Sequence, residues 1–256
     1  MREFVDVAAA VERGEVEFGL LPIENTLAGS VIGSYDALFA RDTLCVVAET
    51  VVAVHHCVLA LPGATLQSLR TVASHPVALA QCERFFRSHP HLVARAAYDT
   101  AGAAREIAAS DDPTAAAIAS RTAAERYALE IVASDVEDRS DNQTRFLAIA
   151  QSRAAKPTKY APLPMGAPAR SIVVVTTDNV PGALLRVLEP LAEREINLSK
   201  LESRPTGEPW TYRFFLELEH AAGDATVPLA FEAVRRVSRS FRLLGTVAVW
   251  SAPRTG

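Results

Sequence analysis

The sequence has no excess of basic residues, since 26 lysines and arginines stand against 30 aspartates and glutamates, for a formal net charge of −4. It therefore lacks the broad positive footprint of a nucleic-acid-binding protein, and an anionic ligand must be held by local arginines or helix N-termini. No apolar run reaches membrane-spanning length, and residues 1–6 lack the apolar segment of a signal peptide. We expect no nucleic-acid partner and no membrane association.

Cysteine is also scarce. Cys45, Cys57 and Cys82 lie in apolar surroundings without the spacing of metal ligands. They are typical of buried free thiols in a reducing compartment, and this predicts a cytoplasmic protein. The neighbouring residues His55 and His56 have no partner ligands close in sequence, so metal binding is not expected.

The hydrophobic content of 49% is ample for packed cores. Strand-like and helical segments alternate regularly over residues 1–150, which predicts an α/β domain of parallel sheets joined by right-handed crossovers. Residues 151–169 carry four prolines and are predicted to form a stiff linker. Residues 170–256 have the order βαββαβ, which predicts a second, ferredoxin-like domain.

Several local features are predicted within this frame. A helix should run from Phe4 to Arg13 and stop at Gly14. Ser30 could cap a helix over residues 32–40, and Thr100 could cap another helix further along. A third helix is expected over residues 77–87, and in the second domain a proline at position 190 should kink a helix.

A polar cluster runs into an apolar strand at residues 141–150. Asp141 and Asn142 should close a loop, and Phe146 should start the strand, which places Thr144 and Arg145 at the junction. A hydroxyl donor beside a guanidinium suits a small anionic substrate, because the planar fork of arginine can hold a carboxylate by two parallel bonds. Alternatively, this stretch merely resembles an N-glycosylation motif or carries an ordinary edge arginine.

Two other predicted strands end in polar side chains. Glu24 and Asn25 follow an apolar strand that ends at Pro22, and Ser74 and His75 follow another. In open α/β sheets, ligands bind beyond the carboxyl ends of strands. The alternative interpretation is that these side chains only cap their own backbone.

Four stretches share the pattern of one known family. They are residues 21–26 with 29–31, residues 74–76 with 81–82, residues 142–146, and residues 182–184 with 202–205. In this order the sequence resembles bacterial prephenate dehydratase, and the last pair of stretches resembles the signature of that family's regulatory ACT domain.

The resemblance implies conversion of prephenate to phenylpyruvate, CO2 and water, the dehydration step of phenylalanine biosynthesis. It implies a two-lobed, periplasmic-binding-protein-like catalytic domain with its site in the cleft, followed by the ACT domain. It also implies feedback regulation by L-phenylalanine and a homodimer or homotetramer. No metal or organic cofactor is implied.

The resemblance also assigns roles to residues. Arg145 would hold a substrate carboxylate, and Thr144 would hydrogen-bond the departing hydroxyl group. Glu24 and His75 are candidates for handling protons. The expected substrate-binding residues are Asn25, Ser30, Ser74, His75, Gln81 and Phe146. The expected phenylalanine-binding residues are Gly182, Ala183, Leu184, Asn197, Leu198, Glu202, Ser203 and Arg204.

One departure from the family pattern concerns the start of the chain. The family begins with a strand and a Gly-Pro-x-Gly-Thr-type loop, whereas this sequence begins inside the helix that precedes the Pro22 motif. The expectation is an N-terminal truncation that removes the first strand and helix of the first lobe.

Three alternatives for the function stay open: an arogenate dehydratase, a catalytically impaired amino-acid sensor, and a solute-binding protein.

Overall fold

A computed structural model describes residues 3–152, 163–208 and 210–249. In these residues the helices are α1 (Phe4–Arg13), α2 (Ile32–Phe39), α3 (Pro76–Ala80), α4 (Glu83–Ser88), α5 (Thr100–Ala108), α6 (Arg121–Tyr127), α7 (Ala183–Ala192) and α8 (Thr226–Val237). The first nine strands are β1 (Gly19–Asn25), β2 (Gly29–Ser30), β3 (Leu44–Ala53), β4 (Cys57–Ala60), β5 (Thr71–Ser74), β6 (Val93–Ala96), β7 (Ala115–Ala119), β8 (Glu130–Ala133) and β9 (Gln143–Gln151). The last four are β10 (Pro168–Thr176), β11 (Asn197–Pro205), β12 (Tyr212–Ala221) and β13 (Ser240–Ala248).

The chain forms two compact units. Unit 1 contains residues 1–51 and 145–256, and unit 2 contains residues 52–144. The chain crosses from one unit to the other within β3 and again within β9. No helix among the described residues is long and apolar enough to cross a membrane.

Unit 2 is built on the five-stranded sheet β6-β5-β7-β4-β8. Strand β5 pairs in parallel with β6 and β7, but β4 pairs antiparallel with β7 and β8. The expectation of parallel sheets was therefore wrong for β4, because the chain reaches this strand from β3 without a crossover helix. Alternate residues of β4 and β7 enter separate cores on the two faces of the sheet, so both faces are covered.

Unit 1 contains a four-stranded sheet with the order β2-β1-β9-β3. Strand β9 begins at Gln143, so Thr144 and Arg145 are strand residues and do not lie at the expected loop junction. Pro22 lies inside β1 and does not end it. Both corrections have one cause. The apolar run predicts only part of each strand, and the polar residues of the motif belong to the same strand.

The second sheet of unit 1 has the order β11-β12-β10-β13 and is antiparallel throughout. With α7 and α8 it confirms the predicted βαββαβ order. Strand β10 begins at Pro168, inside the stretch predicted to be linker, and the linker residues 153–162 lie outside the described residues. The helices pack on one face of this sheet around Val173, Val187 and Leu216.

The opposite face of this sheet shares a core with the first sheet. Leu21 and Ile149 pack in one cluster with Ile172 and Phe215. Gly245 of β13 comes so close to the first sheet that an added Cβ would lie 2.1 Å from the backbone oxygen of Val46. Only glycine allows this approach without a backbone shift.

Helix α1 has the predicted bounds and ends at Gly14 in the left-handed conformation, with φ 74°. The helix expected over residues 77–87 is instead two short helices, α3 and α4, separated at Gln81 and Cys82. Ser30 does not cap α2, whose N-cap is Val31 and has no side-chain cap, because Ser30 is the last residue of β2. Asp99, not Thr100, caps α5.

Candidate functional site

Arg145 of β9 is the centre of the ionic contacts in unit 1. Its Nη2 donates to Glu217 Oε1 at 2.8 Å and to Glu24 Oε2 at 3.0 Å, and its Nη1 donates to Glu49 Oε2 at 3.2 Å. The side chain of Arg145 is 11% exposed, whereas Glu49 and Glu217 are 2% and 3% exposed. The guanidinium therefore already binds carboxylates, and in this structure they belong to the protein itself.

A second arginine closes the network. Arg170 of β10 donates from Nη1 to both oxygens of Glu49, at 2.6 and 2.8 Å, and its Nε lies 3.6 Å from Glu217 Oε2. Arg145, Glu49, Arg170 and Glu217 thus form a ring of alternating charge, which we call the ion ring. Its two positive and two negative charges balance, as buried charges require.

Glu24 differs from the ring carboxylates because its side chain is 41% exposed and has a second cation, Lys200 Nζ, at 2.9 Å. Burial on its own would raise the pKa of Glu24, but hydrogen bonds from Lys200 and Arg145 hold it below its usual value. The carboxylate is therefore ionised at neutral pH. It can leave Arg145 without being left unpaired, because Lys200 remains bound to it.

Two predicted regulatory residues of β11 contact the N-terminal part of unit 1, one of them through the predicted substrate residue Ser30. The Ser30 hydroxyl donates a hydrogen bond to Glu202 Oε2 at 2.8 Å. Arg204 donates from Nη2 to Asp36 Oδ2 of α2 at 2.9 Å. Burial alternates along β11, so Lys200, Glu202 and Arg204 share one face of this strand.

The predicted substrate residue Gln81 forms a hydrogen-bond centre in unit 2, which we call the glutamine hub. Its Oε1 accepts from Asn142 Nδ2 at 3.1 Å and lies 3.0 Å from His56 Nε2. Both partners are buried, with His56 5% and Asn142 1% exposed. Sequence reasoning did not predict that His56 and Asn142 contact Gln81. No local sequence signal marks these contacts, because Gln81 is far along the chain from both His56 and Asn142.

Ser74 and His75 serve the backbone in this structure. The Ser74 hydroxyl is fully buried and donates to the carbonyl oxygen of Ile118 at 2.7 Å. His75 Nδ1 accepts from the backbone N–H of Val77 and caps α3. In unit 1, Asn25 Oδ1 accepts from the N–H groups of residues 27 and 28 and shapes the turn after β1. Substrate binding by these three residues stays a prediction.

One group among the described residues has the composition of a metal site. The ligand atoms of His55, Asp135 and Glu137 lie within 4.8 Å of one another. Hydrogen bonds account for the arrangement, since His55 Nδ1 lies 2.9 Å from Glu137 Oε1 and the His56 N–H donates to Glu137 Oε2 at 2.8 Å.

The predicted phenylalanine-binding residues occupy two places in unit 1. Gly182 is left-handed with φ 77° and precedes α7, whose first residues are Ala183 and Leu184. The others, Asn197, Leu198, Glu202, Ser203 and Arg204, lie on β11. Asn197 donates to Glu219 Oε2 at 3.1 Å. Their role in phenylalanine binding stays a prediction.

Comparison with known proteins identifies the family. The sequence pattern of prephenate dehydratase matches residues 1–154, and that of the ACT domain matches residues 171–228. A relative from Arabidopsis thaliana, arogenate dehydratase/prephenate dehydratase 2, is 38% identical over 96% of this chain. The chain spans 65% of that relative's length.

Two solved structures are also similar. Prephenate dehydratase from Arthrobacter aurescens, in complex with L-Phe, is 31% identical, with a TM-score of 0.85 over 96% of this chain and 80% of its own. A protein described as GqqA, a novel type of quorum quenching acylase, is 30% identical, with a TM-score of 0.86 over 98% of this chain and 88% of its own.

The fold is thus that of a two-lobed α/β dehydratase domain carrying an ACT domain, as expected. The chain belongs to the prephenate dehydratase family. Thr144, Arg145 and Phe146 stand on β9 inside the matched dehydratase region, and Gly182 and Glu202 stand inside the matched ACT region.

Proposed function

We propose that the protein converts prephenate to phenylpyruvate, CO2 and water in phenylalanine biosynthesis. The observation that carries the proposal is the setting of Arg145 on β9, where it is held among three carboxylates. Buried carboxylates hold the guanidinium, and its partly exposed partner Glu24 keeps Lys200 when Arg145 is released. A substrate carboxylate can replace Glu24 on Arg145 without leaving a charge unpaired.

The reaction requires that the substrate is oriented and that the departing hydroxide receives one proton. The bond from the ring to its carboxylate breaks, and the electron pair completes the aromatic ring as the C–O bond on the opposite side of the ring breaks. CO2 leaves, and the departing hydroxide takes a proton to become water. In the proposal Arg145 holds a carboxylate of the substrate, and Thr144 donates a hydrogen bond to the departing oxygen.

The direct test follows the ultraviolet absorbance of phenylpyruvate after addition of prephenate, with arogenate and phenylalanine formation as a parallel arm. Turnover of prephenate supports the proposal. Turnover of arogenate alone identifies an arogenate dehydratase, the activity that the Arabidopsis relative's name also gives. A folded chain that converts neither substrate would defeat the proposal and favour a sensor.

Thr144→Ala removes the proposed donor, and removing a positioned proton donor typically lowers the rate by about 10²- to 10⁴-fold. We expect this loss in kcat with little change in KM, measured by the same assay. Thr144→Ser keeps the hydroxyl and is the matched control, which should retain most of the activity. Near-normal kcat in Thr144→Ala would exclude Thr144 from the mechanism.

We also propose that the ACT domain binds L-phenylalanine, the ligand present in the complex of the Arthrobacter relative, and that this lowers the activity. Gly182 precedes α7 with φ 77°, a conformation that a β-branched residue avoids. Gly182→Val should therefore abolish phenylalanine binding in calorimetry while basal turnover continues. Gly166→Val is the control, because it is equally left-handed at φ 79° and has open space around it. Equal phenylalanine affinity in both variants would contradict the assignment.

A homodimer or homotetramer and a cytoplasmic location belong to the same proposal. The location is supported by Cys45, Cys57 and Cys82, which are all free thiols. Light scattering of the purified chain, with and without phenylalanine, measures the oligomeric state.

A further inference from the structure

Glu217 reaches the dehydratase motif from the ACT region. It lies on β12, in the part of the chain that matches the ACT domain, yet its Oε1 accepts a hydrogen bond from Arg145 Nη2 at 2.8 Å. The residue is 2% exposed. A carboxylate buried this deeply is costly unless a cation meets it, so its position and that of Arg145 depend on each other.

The other contacts of Arg145 show how firmly it is held. Glu49 binds Nη1 at 3.2 Å, and Arg170 fixes Glu49 in turn with two hydrogen bonds. Burial on its own would lower the pKa of Arg145, but the hydrogen bond and charge of Glu217 raise it above its ordinary value. Three carboxylates contact Arg145. The buried pair, Glu49 and Glu217, hold the guanidinium in place, whereas the partly exposed Glu24 is the one that a substrate carboxylate can replace.

We propose that Glu217 of the ACT region is a positioning residue for the dehydratase reaction: it fixes the Arg145 guanidinium in the place where Arg145 holds a substrate carboxylate. The inference rests on the proposed dehydratase activity. It makes the ACT region a structural part of the catalytic arrangement, beyond any role in binding an effector. A small misplacement of a catalytic group is enough to lower the rate strongly.

The test is Glu217→Gln, which keeps the shape of the side chain and removes its charge. We expect kcat for prephenate to fall about 10- to 100-fold. KM should change little, because Arg145 keeps its charge and still attracts the substrate.

The matched control is Glu219→Gln. Glu219 lies two residues further along β12 and also binds Arg170, at 2.6 Å. Its contacts with Arg170 and Asn197 do not involve Arg145, so kcat should stay within about twofold of the wild-type value.

A double-mutant cycle separates positioning from a general loss of structure. If Glu217 acts through Arg145, Glu217→Gln should lower kcat much less in an Arg145→Lys background than in the wild type. An equal loss in both backgrounds, or a loss shared by Glu219→Gln, would overturn the proposal. So would an unchanged kcat in Glu217→Gln.

Two further outcomes have a defined meaning. If Glu217→Gln does not fold, Glu217→Asp keeps the charge and withdraws it by one methylene, and the same fall in kcat is expected. A kcat unchanged in that variant would overturn the proposal. If the wild-type chain does not convert prephenate, the proposed function fails, whereas an active wild type with an unaffected Glu217 variant defeats only the positioning role.

Discussion

The ion ring of unit 1 and the glutamine hub of unit 2 are two different solutions to burying polar side chains beside family motifs. The ring holds four formal charges in alternating order around Arg145. The hub gathers the amide of Asn142 and the imidazole of His56 around one oxygen of Gln81. The ring pairs its buried groups through ion pairs, although Arg170 Nε has no hydrogen-bond partner among the described residues, whereas the hub pairs its groups through hydrogen bonds between amide and imidazole groups.

The difference lies in what happens when one member is lost. In the ring, removing one cation leaves two buried carboxylates to share Arg170, and an uncompensated buried charge is expensive. In the hub, removing Gln81 takes one hydrogen bond each from Asn142 and His56, a smaller cost than an uncompensated buried charge. We therefore expect the ring to be the more sensitive of the two.

The largest effect is expected for Arg145→Met, which replaces the guanidinium by an apolar chain. Breaking a buried pair in this way typically lowers the free energy of unfolding by about 3–5 kcal/mol. Urea unfolding followed by circular dichroism measures it. Arg13→Met is the control, because Arg13 pairs with Glu15 on the surface, at side-chain exposures of 59% and 53%. Similar losses in the two variants would mean that the ring is not a special source of stability.

A smaller effect is expected for Gln81→Leu, which removes the shared acceptor of the hub. His56 and Asn142 then each lose a hydrogen bond in a buried place, a loss of about 1–3 kcal/mol in the free energy of unfolding. The exposed Gln67→Leu is the control and should leave stability nearly unchanged. If Gln81→Leu were as damaging as Arg145→Met, the contrast between charged and neutral burial would fail.

Much of the fold follows from the sequence. Apolar periodicity and glycine placement are local signals, so α1 with its end at Gly14 and the βαββαβ order were predicted correctly. The antiparallel β4 was missed, since strand direction depends on connections that periodicity does not encode. The break between α3 and α4 was missed because Gln81 and Cys82 are both compatible with a helix.

The candidate site was also predicted only in part. Arg145 could be selected from one stretch of sequence. Its partners Glu49, Arg170 and Glu217 are far away along the chain and carry no local signal. Tertiary packing alone brings them together. The pairing of Ser30 with Glu202 was equally invisible, although each had been selected separately.

The smallest effect is expected from acid, and it compares one carboxylate from each unit. The hydrogen bond from Arg170 holds the pKa of Glu219 below its ordinary value of 4.5. Burial on its own would raise the pKa of Glu137, but the N–H of His56 and the imidazole of His55 bind its carboxylate and hold the pKa below 4.5 as well. A carboxylate with a lowered folded-state pKa stabilises the fold fully above its unfolded-state value, and this contribution is lost as the pH falls through the folded-state value.

Stability should therefore be flat with respect to these two groups above about pH 5 and should fall progressively below about pH 4.5. Urea midpoints measured across this range for the wild type, Glu219→Gln and Glu137→Gln test the expectation. Each variant lacks one titrating carboxylate, so its stability should be lower near neutral pH and its slope below pH 4.5 shallower. Both slopes should be shallower than the wild-type slope, because proton linkage depends on the pKa shift and not on whether the partner is an arginine or a backbone amide. A wild-type slope preserved in Glu219→Gln but lost in Glu137→Gln would place the acid sensitivity in unit 2 alone.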